Sequence, residues 1–193
     1  MGRNRKKVVV AVLSIVLLVS VVGGWALSRS SDDVDANLTD PGVEQTPGIG
    51  TNANNTGKKF SFVPVTDVLS GAAVTITPTG KPMVVNFWFS TCEPCKREMP
   101  ALTAAAEAYG ASVNFVGINP NDTTESASAF LTKYGIKYAN YLDDGDQLAA
   151  VGVTTMPTTF FINADGYIVK TRAGEITTED IDNILQNSLG VTK

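Results

Sequence analysis

Residues 83–100 read MVVNFWFSTCEPCKREMP. The first seven, Met83 to Phe89, make a nearly continuous apolar run of strand length, the pattern of a strand buried on both faces. After Ser90 and Thr91 the texture changes. From Glu93 to Tyr109, Ala, Leu and Glu occur in helical proportions, and Pro94 falls near the first turn, where a missing N–H costs little. Pro100 lies inside this helix and is expected to kink it. A buried strand running into a helix points to an α/β architecture. It also sets Cys92 and Cys95, the two cysteines of the chain, at the junction between strand and helix.

On the N-terminal side, Phe60–Pro64 and Val74–Pro78 alternate apolar and hydroxyl-bearing residues, predicting two short strands near a sheet edge. On the C-terminal side, Ser112–Ile118 reads as a second buried strand. Asp122-Thr123-Thr124-Glu125 matches an acid-x-x-Glu helix start, with Phe130, Leu131 and Tyr134 on one face of the helix that follows. A strand near Lys137–Leu142 and a short helix over Asp146–Val151 come next. Thr158–Asn163 and Tyr167–Ala173 read as strands joined by Asn163-Ala164-Asp165-Gly166, where glycine accepts the positive φ of a hairpin turn. Thr177 or Thr178 caps a closing helix to Leu189, with Ile181, Ile184, Leu185 and Leu189 inward. This order implies a mixed sheet with helices on both faces.

The 193 residues are 44% hydrophobic and 18% charged, enough to bury one core with chain left over. Val8 to Leu27 is a run of twenty residues without a charge, long enough to span a bilayer as a helix. The basic RNRKK before it predicts a cytoplasmic N-terminus and an extracytoplasmic body. A cleaved signal peptide is the competing reading, because Ala26-Leu27-Ser28 resembles a cleavage site. Ser28–Gly57 is polar, rich in Gly, Pro, Asn and Asp, and lacks periodicity. The expected division is therefore 1–28 for the basic tip and anchor, 29–57 for a flexible linker, and 58–193 for the folded domain.

Charge and composition exclude several functions. Four of the fifteen Lys and Arg residues precede Val8, leaving eleven against nineteen acids, a balance of −8 that repels nucleic acid phosphates. The chain has no histidine, which removes Cys-His and Ser-His-acid nucleophiles and imidazole metal ligands. Lys96, not His, follows Cys95, so covalent c-type haem attachment is excluded as well.

Two sulfurs three positions apart could bind metal, staple the fold, or carry electrons. A zinc site needs four protein ligands, or three and a water, and here would require carboxylates or a second chain. A staple over two intervening residues closes too small a loop to restrict the unfolded chain much. The redox reading has a mechanism. Cys92 lies at the positive end of the helix dipole, which favours its thiolate and makes it the attacking group. Cys95, one turn further in, resolves the mixed disulfide.

The stretch Gly80–Trp88 (GKPMVVNFW) followed by Cys92–Pro100 (CEPCKREMP) resembles the membrane-anchored thioredoxin-like thiol-disulfide oxidoreductases of the TlpA/ResA type. Val153–Ile162 (VTTMPTTFFI) is similar to that family's second signature, and Asp165-Gly166 with the apolar strand behind it matches as well. The likeness spans Phe60 to Leu189. It implies a thioredoxin fold with a mixed central sheet, helices on both faces and an N-terminal strand extension, preceded by a transmembrane helix. It also implies a redox-active Cys92–Cys95 disulfide with no other cofactor and no metal. A cis Met156–Pro157 bond would face that disulfide, with Thr155, Met156, Pro157 and Trp88 shaping the partner-binding face. Glu98 would sit partly buried and handle the proton of the resolving thiol.

Glu93, between the cysteines, opposes thiolate formation at Cys92 and would make the dithiol a better reductant; with Pro94 it is read as tuning the couple. The expected partners are protein thiols and disulfides, with electrons from a transmembrane thiol carrier and substrates such as apocytochrome c. The expected site of action is the outer face of the cell membrane, or the exterior if the signal is cleaved. The competing functions are a disulfide-forming oxidase, a thiol peroxidase, and a tethered binding domain with an inert disulfide. Thr91, where many relatives carry an aromatic residue, is a departure from the pattern.

Overall fold

A computed structural model describes residues 52–193. The expected anchor at 8–27 and most of the expected linker lie outside the described residues, and among these no helix is long and apolar enough to cross a membrane. Seven strands form one sheet: β1 (Pro64–Asp67), β2 (Ala73–Thr75), β3 (Met83–Phe87), β4 (Asn114–Asn119), β5 (Ala139–Leu142), β6 (Thr158–Ile162) and β7 (Ile168–Ala173). Four helices accompany it: α1 (Glu93–Tyr109), α2 (Thr124–Tyr134), α3 (Asp146–Ala150) and α4 (Thr178–Leu189). The strand order is β2-β1-β5-β4-β3-β6-β7. β3, β4 and β5 are parallel, and α1 and α2 make the crossovers. β6 joins β3 antiparallel, with Phe87 at the end of β3 opposite Thr158 at the start of β6.

The period of two along β3 divides the core. Val84 and Trp88 pack with Met99 and Leu102 of α1, Phe130 and Leu131 of α2, and Ile181 and Leu185 of α4. Met83, Val85 and Phe87 face the other way, onto Phe160, Ile162, Val151, Val153 and Phe60. Each large side chain so enclosed stabilises the fold by roughly 1.5–3 kcal/mol relative to exposure, before ordering costs. Asn86 is the polar exception in β3. It shares the face of Val84 and is buried there because its amide has partners across the core.

Trp88 is buried outright, its ring stacked on Phe130 at 4.5 Å between centroids, its Nε1–H donating to Asn140 Oδ1 at 2.9 Å. Gly117 makes room for this pair. A Cβ there would lie 1.8 Å from Asn140 Oδ1 and 2.7 Å from Trp88 Nε1.

Several expectations move in detail. The first strand forms at Pro64–Asp67 rather than Phe60–Pro64. Phe60 is buried as its alternation requires, but the backbone before Pro64 bonds elsewhere: Phe60 N–H donates to Gly166 O and Val63 N–H to Gln147 Oε1. α2 is capped by Thr123 with Ser126 in a reciprocal box, not by Asp122 and Glu125. Asp122 is drawn off to hold Ser90. Finally, part of the stretch read as linker is packed: Asn52 and Asn55 are buried against the body, because they bond the loop before β6 and the end of α3.

Candidate active site

The register of β3 against β6 brings two loops to one end of the sheet. One leaves β3 and reaches α1 through Ser90, Thr91 and Cys92; the other enters β6 through Thr155, Met156 and Pro157. Cys92 is the N-cap of α1, with extended backbone. Cys92 and Cys95 are joined in a disulfide, and Cys95 N–H donates to Cys92 Sγ at 3.2 Å. The two sulfurs are unequal: Cys92 retains 6% exposure and Cys95 none. Thr91 is exposed beside Cys92, so the departure from an aromatic residue leaves a small side chain on that flank.

Asp122 fastens the turn from outside. Its carboxylate accepts from Ser90 N–H and Ser90 Oγ–H, each at 2.7 Å, and from Asn119 Nδ2 at 2.6 Å. Glu93 points into solvent at 72% side-chain exposure and pairs with Lys96 at 2.5 Å. The bond to Lys96, then its charge, hold the Glu93 carboxyl below the usual carboxylate range. Its charge is thus spent mostly on Lys96 rather than on the sulfurs. Pro94 lies in the first turn of α1, where its missing N–H is harmless.

Glu98 is the opposite kind of acid. It is 1% exposed, three residues after Cys95 and therefore on the same face of α1. Oε1 accepts from Asn86 Nδ2 at 2.8 Å and Oε2 from Ile176 N–H at 3.2 Å. Burial pushes its carboxyl up to about 8, against the pull of those two donors, with the charge of Glu175 adding to the rise. Asn86 Nδ2 also reaches Thr159 Oγ1 at 3.0 Å, linking Glu98 to β6. Tyr138 is raised in turn, first by burial and then by Glu98.

The Met156–Pro157 bond is cis, as the resemblance implies. Met156 packs against the cluster that contains both cysteines. Among the described residues neither its N–H nor its C=O has a hydrogen-bond partner. Thr155 is half-buried, with its N–H and hydroxyl donating to Asn52 Oδ1 at 3.1 and 3.2 Å. Trp88, expected to shape the partner-binding face, lies wholly inside the core. It supports the site from below and cannot touch a partner. A groove of about 640 Å³ lies elsewhere, lined by Met83, Asn114, Phe115, Tyr138 and Tyr141, where β3, β4 and β5 begin, the end of the sheet opposite the disulfide. Among the described residues no group of three His, Cys, Asp or Glu side chains gathers as metal ligands would.

Two positions that hold these loops carry no signal in the sequence: Asp122 reads as part of a helix start and Asn52 as linker, since both kinds of residue are common in those roles.

A mixed sheet carrying a disulfide at the start of its central helix, beside a cis-proline loop, defines a thioredoxin-fold thiol-disulfide oxidoreductase. The chain belongs to the Redoxin family, whose model matches residues 53–186, and within it to the ResA-type oxidoreductases. It is 31% identical over 133 residues to the thiol-disulfide oxidoreductase ResA of Bacillus thuringiensis, covering 67% of this chain and 76% of that relative. Among solved structures it is similar to a secreted Mycobacterium tuberculosis disulfide oxidoreductase homologous to E. coli DsbE. That match has 28% identity and a TM-score of 0.57, over 62% of this chain and 90% of the other. StoA from Bacillus subtilis is also similar, with 26% identity and a TM-score of 0.55, over 63% and 94%. The activity is thiol-disulfide exchange with protein substrates, which sets aside the inert-disulfide reading.

Proposed function

We propose that the protein works as a reductant outside the cytoplasm, with Cys92 as nucleophile, Cys95 as resolving thiol and Glu98 as the group that exchanges a proton with Cys95. The observation that carries this reading is the unequal burial of two sulfurs at a helix start, with a buried carboxyl behind the inner one. The Cys92 thiolate attacks a partner disulfide, forming a mixed disulfide and releasing one partner sulfur as thiolate. Cys95 then gives its proton to Glu98 and attacks Cys92 Sγ, which releases the second partner sulfur. The partner gains two electrons and leaves as two thiolates that take their protons from solvent, while the protein is left with the Cys92–Cys95 disulfide and a protonated Glu98 that returns its proton to solvent. A carboxyl near 8 is poised for this transfer at neutral pH.

Partner segments dock as an extended chain on the free N–H and C=O of Met156, over Thr155 and Pro157. The reductive direction is supported by the resemblance to the TlpA/ResA type, and Cys95, buried away from solvent, adds no thiolate stabilisation to the reduced form. Val8–Leu27 is proposed to tether the domain to the outer face of the cell membrane. Electrons would come from a transmembrane thiol carrier, and the resemblance to the TlpA/ResA type points to cysteines awaiting haem as substrates.

Redox titration of the purified protein tests the direction. A midpoint potential of about −200 mV or lower is expected; a value near −120 mV would assign the protein to disulfide formation instead.

A further inference from the structure

We propose that Asn52 is a positioning residue for the partner-binding loop, setting the main chain of Met156 where an extended substrate can pair with it. The inference rests on the reading of Met156 above. Asn52 lies just before the segment that the Redoxin model matches. It is 6% exposed, and its side-chain hydrogen bonds all go to this loop or to Thr158 at the start of β6. Oδ1 accepts from the N–H groups of Thr154 and Thr155 at 2.7 and 3.1 Å, and from their hydroxyls at 3.3 and 3.2 Å. Two main-chain donors converging on one atom require an oxygen there, which orients the amide. Nδ2 donates to Thr158 Oγ1 at 2.6 Å, and that hydroxyl donates in turn to Thr155 O at 2.8 Å.

The consequence lies in which groups are consumed and which are left. The amide and Thr158 together engage both main-chain polar groups of Thr155, and Gly174 N–H takes Pro157 O at 2.8 Å. Met156, between them, keeps its N–H and C=O for a partner. The loop has no ladder of its own before Thr158, so without Asn52 only the Thr158 hydroxyl holds Thr155 to β6, and no hydrogen bond among the described residues holds Thr154. Asn52 is itself fixed by its main-chain neighbour, since Ala53 N–H donates to Gly152 O at 3.0 Å. Asn55 is held separately, its Nδ2 donating to Val151 O at 2.5 Å. Gly152, at φ +63°, lets this strap approach: a Cβ there would lie 2.7 Å from that of Ala53. Asn55 therefore offers a control, a buried strap amide that touches no residue of the loop.

The test compares two oxidants of the full-length reduced protein: an extended peptide carrying a Cys-x-x-Cys disulfide, and 2-hydroxyethyl disulfide, which has no main chain to dock. Asn52→Ala is expected to slow reaction with the peptide by about tenfold while leaving the small disulfide within about twofold, because only the peptide uses the loop. Asn55→Ala is expected to leave both rates at the wild-type value. If Asn52→Ala does not fold, Asn52→Gln carries the test with the same expected split, since it keeps the amide but moves it outward by about 1.5 Å. An unchanged peptide rate, or equal slowing toward both oxidants, overturns the proposal. A wild-type protein that reduces the small disulfide and not the peptide overturns the docking reading, and this inference with it.

Discussion

The turn from Ser90 to Cys95 and the loop from Thr154 to Pro157 lie side by side at one end of the sheet, yet they are held by different means. In the first, Cys92 caps α1, Pro94 fits the opening turn and Cys95 N–H bonds back to Cys92 Sγ, all within four residues. The second takes its anchor from Asn52, 102 positions before Thr154. A helix start can be written in adjacent residues because dipole and capping act over one turn. A loop that must expose its own main chain cannot also bond it internally, so its support has to come from elsewhere in the chain. The cysteine turn is local apart from the grip of Asp122 on Ser90, and the loop before β6 is assembled from a distant segment.

The strongest way to break this contrast is at the sulfurs. Cys92→Ser is expected to lower exchange by about 10³-fold or more, because a hydroxyl does not replace the thiolate. Cys95→Ser should attack normally and then stall, accumulating mixed disulfides visible on non-reducing gels. Alkylation of Cys95 in the Cys92→Ser protein as fast as Cys92 reacts in wild type would remove the asymmetry on which the assignment stands.

Next in size is Glu98→Gln. The native carboxyl titrates near 8, well above an unfolded glutamate, so the folded state binds the extra proton between those values. Stability attributable to Glu98 is therefore full below the unfolded value and is lost as pH rises through about 8. Wild type should lose roughly 3–5 kcal/mol relative to the variant between pH 5 and 9, followed by denaturant titration. The exchange rate of wild type should also inflect near pH 8, and that of the variant should not. Parallel pH profiles would mean that Glu98 does not exchange the proton.

A smaller effect sharpens the comparison from the other side. Asp122→Ala leaves Ser90 N–H and Oγ–H without their acceptor and should cost about 1–3 kcal/mol, read as a lower melting temperature with faster alkylation of Cys92. Unaltered stability and reactivity would make the cysteine turn wholly local. The least effect is expected from Glu93→Gln. The carboxylate is exposed and paired with Lys96, so the midpoint potential should move by about 10 mV or less, and by less still at high salt. A shift of tens of millivolts would restore Glu93 as a tuner of Cys92.

The legible features share a short range. The apolar run of Met83–Phe89, the stripe of α4 and the Asn163–Gly166 turn all follow from spacing and local conformation, and each forms close to its expected place. The structure departs from these local expectations where a polar residue has two possible partners. Asp122 suits a helix cap, but Thr123 stands next to it and can close a reciprocal box with Ser126, freeing the acid for Ser90. Phe60 alternates as a strand residue should, yet its segment finds partners in Gly166 and Gln147 rather than in a neighbouring strand. The burial of Glu98 could be expected only through family resemblance, since Lys96-Arg97-Glu98 by itself reads as surface.

The sequence by itself determined a sheet with helices on it, a cysteine pair at a helix start, and an order of elements that leads from the first strand to the last. Those outcomes depend on hydrophobic period, on capping, and on turn residues that act over a few positions. Only the tertiary structure decided which carboxylate is buried behind Cys95, which acid grips Ser90, and that an asparagine in the stretch expected as linker holds the loop before β6. These depend on which polar groups meet once the core has closed. There most buried donors and acceptors find a partner, and the choice is set by the packing of distant segments rather than by their neighbours in the chain.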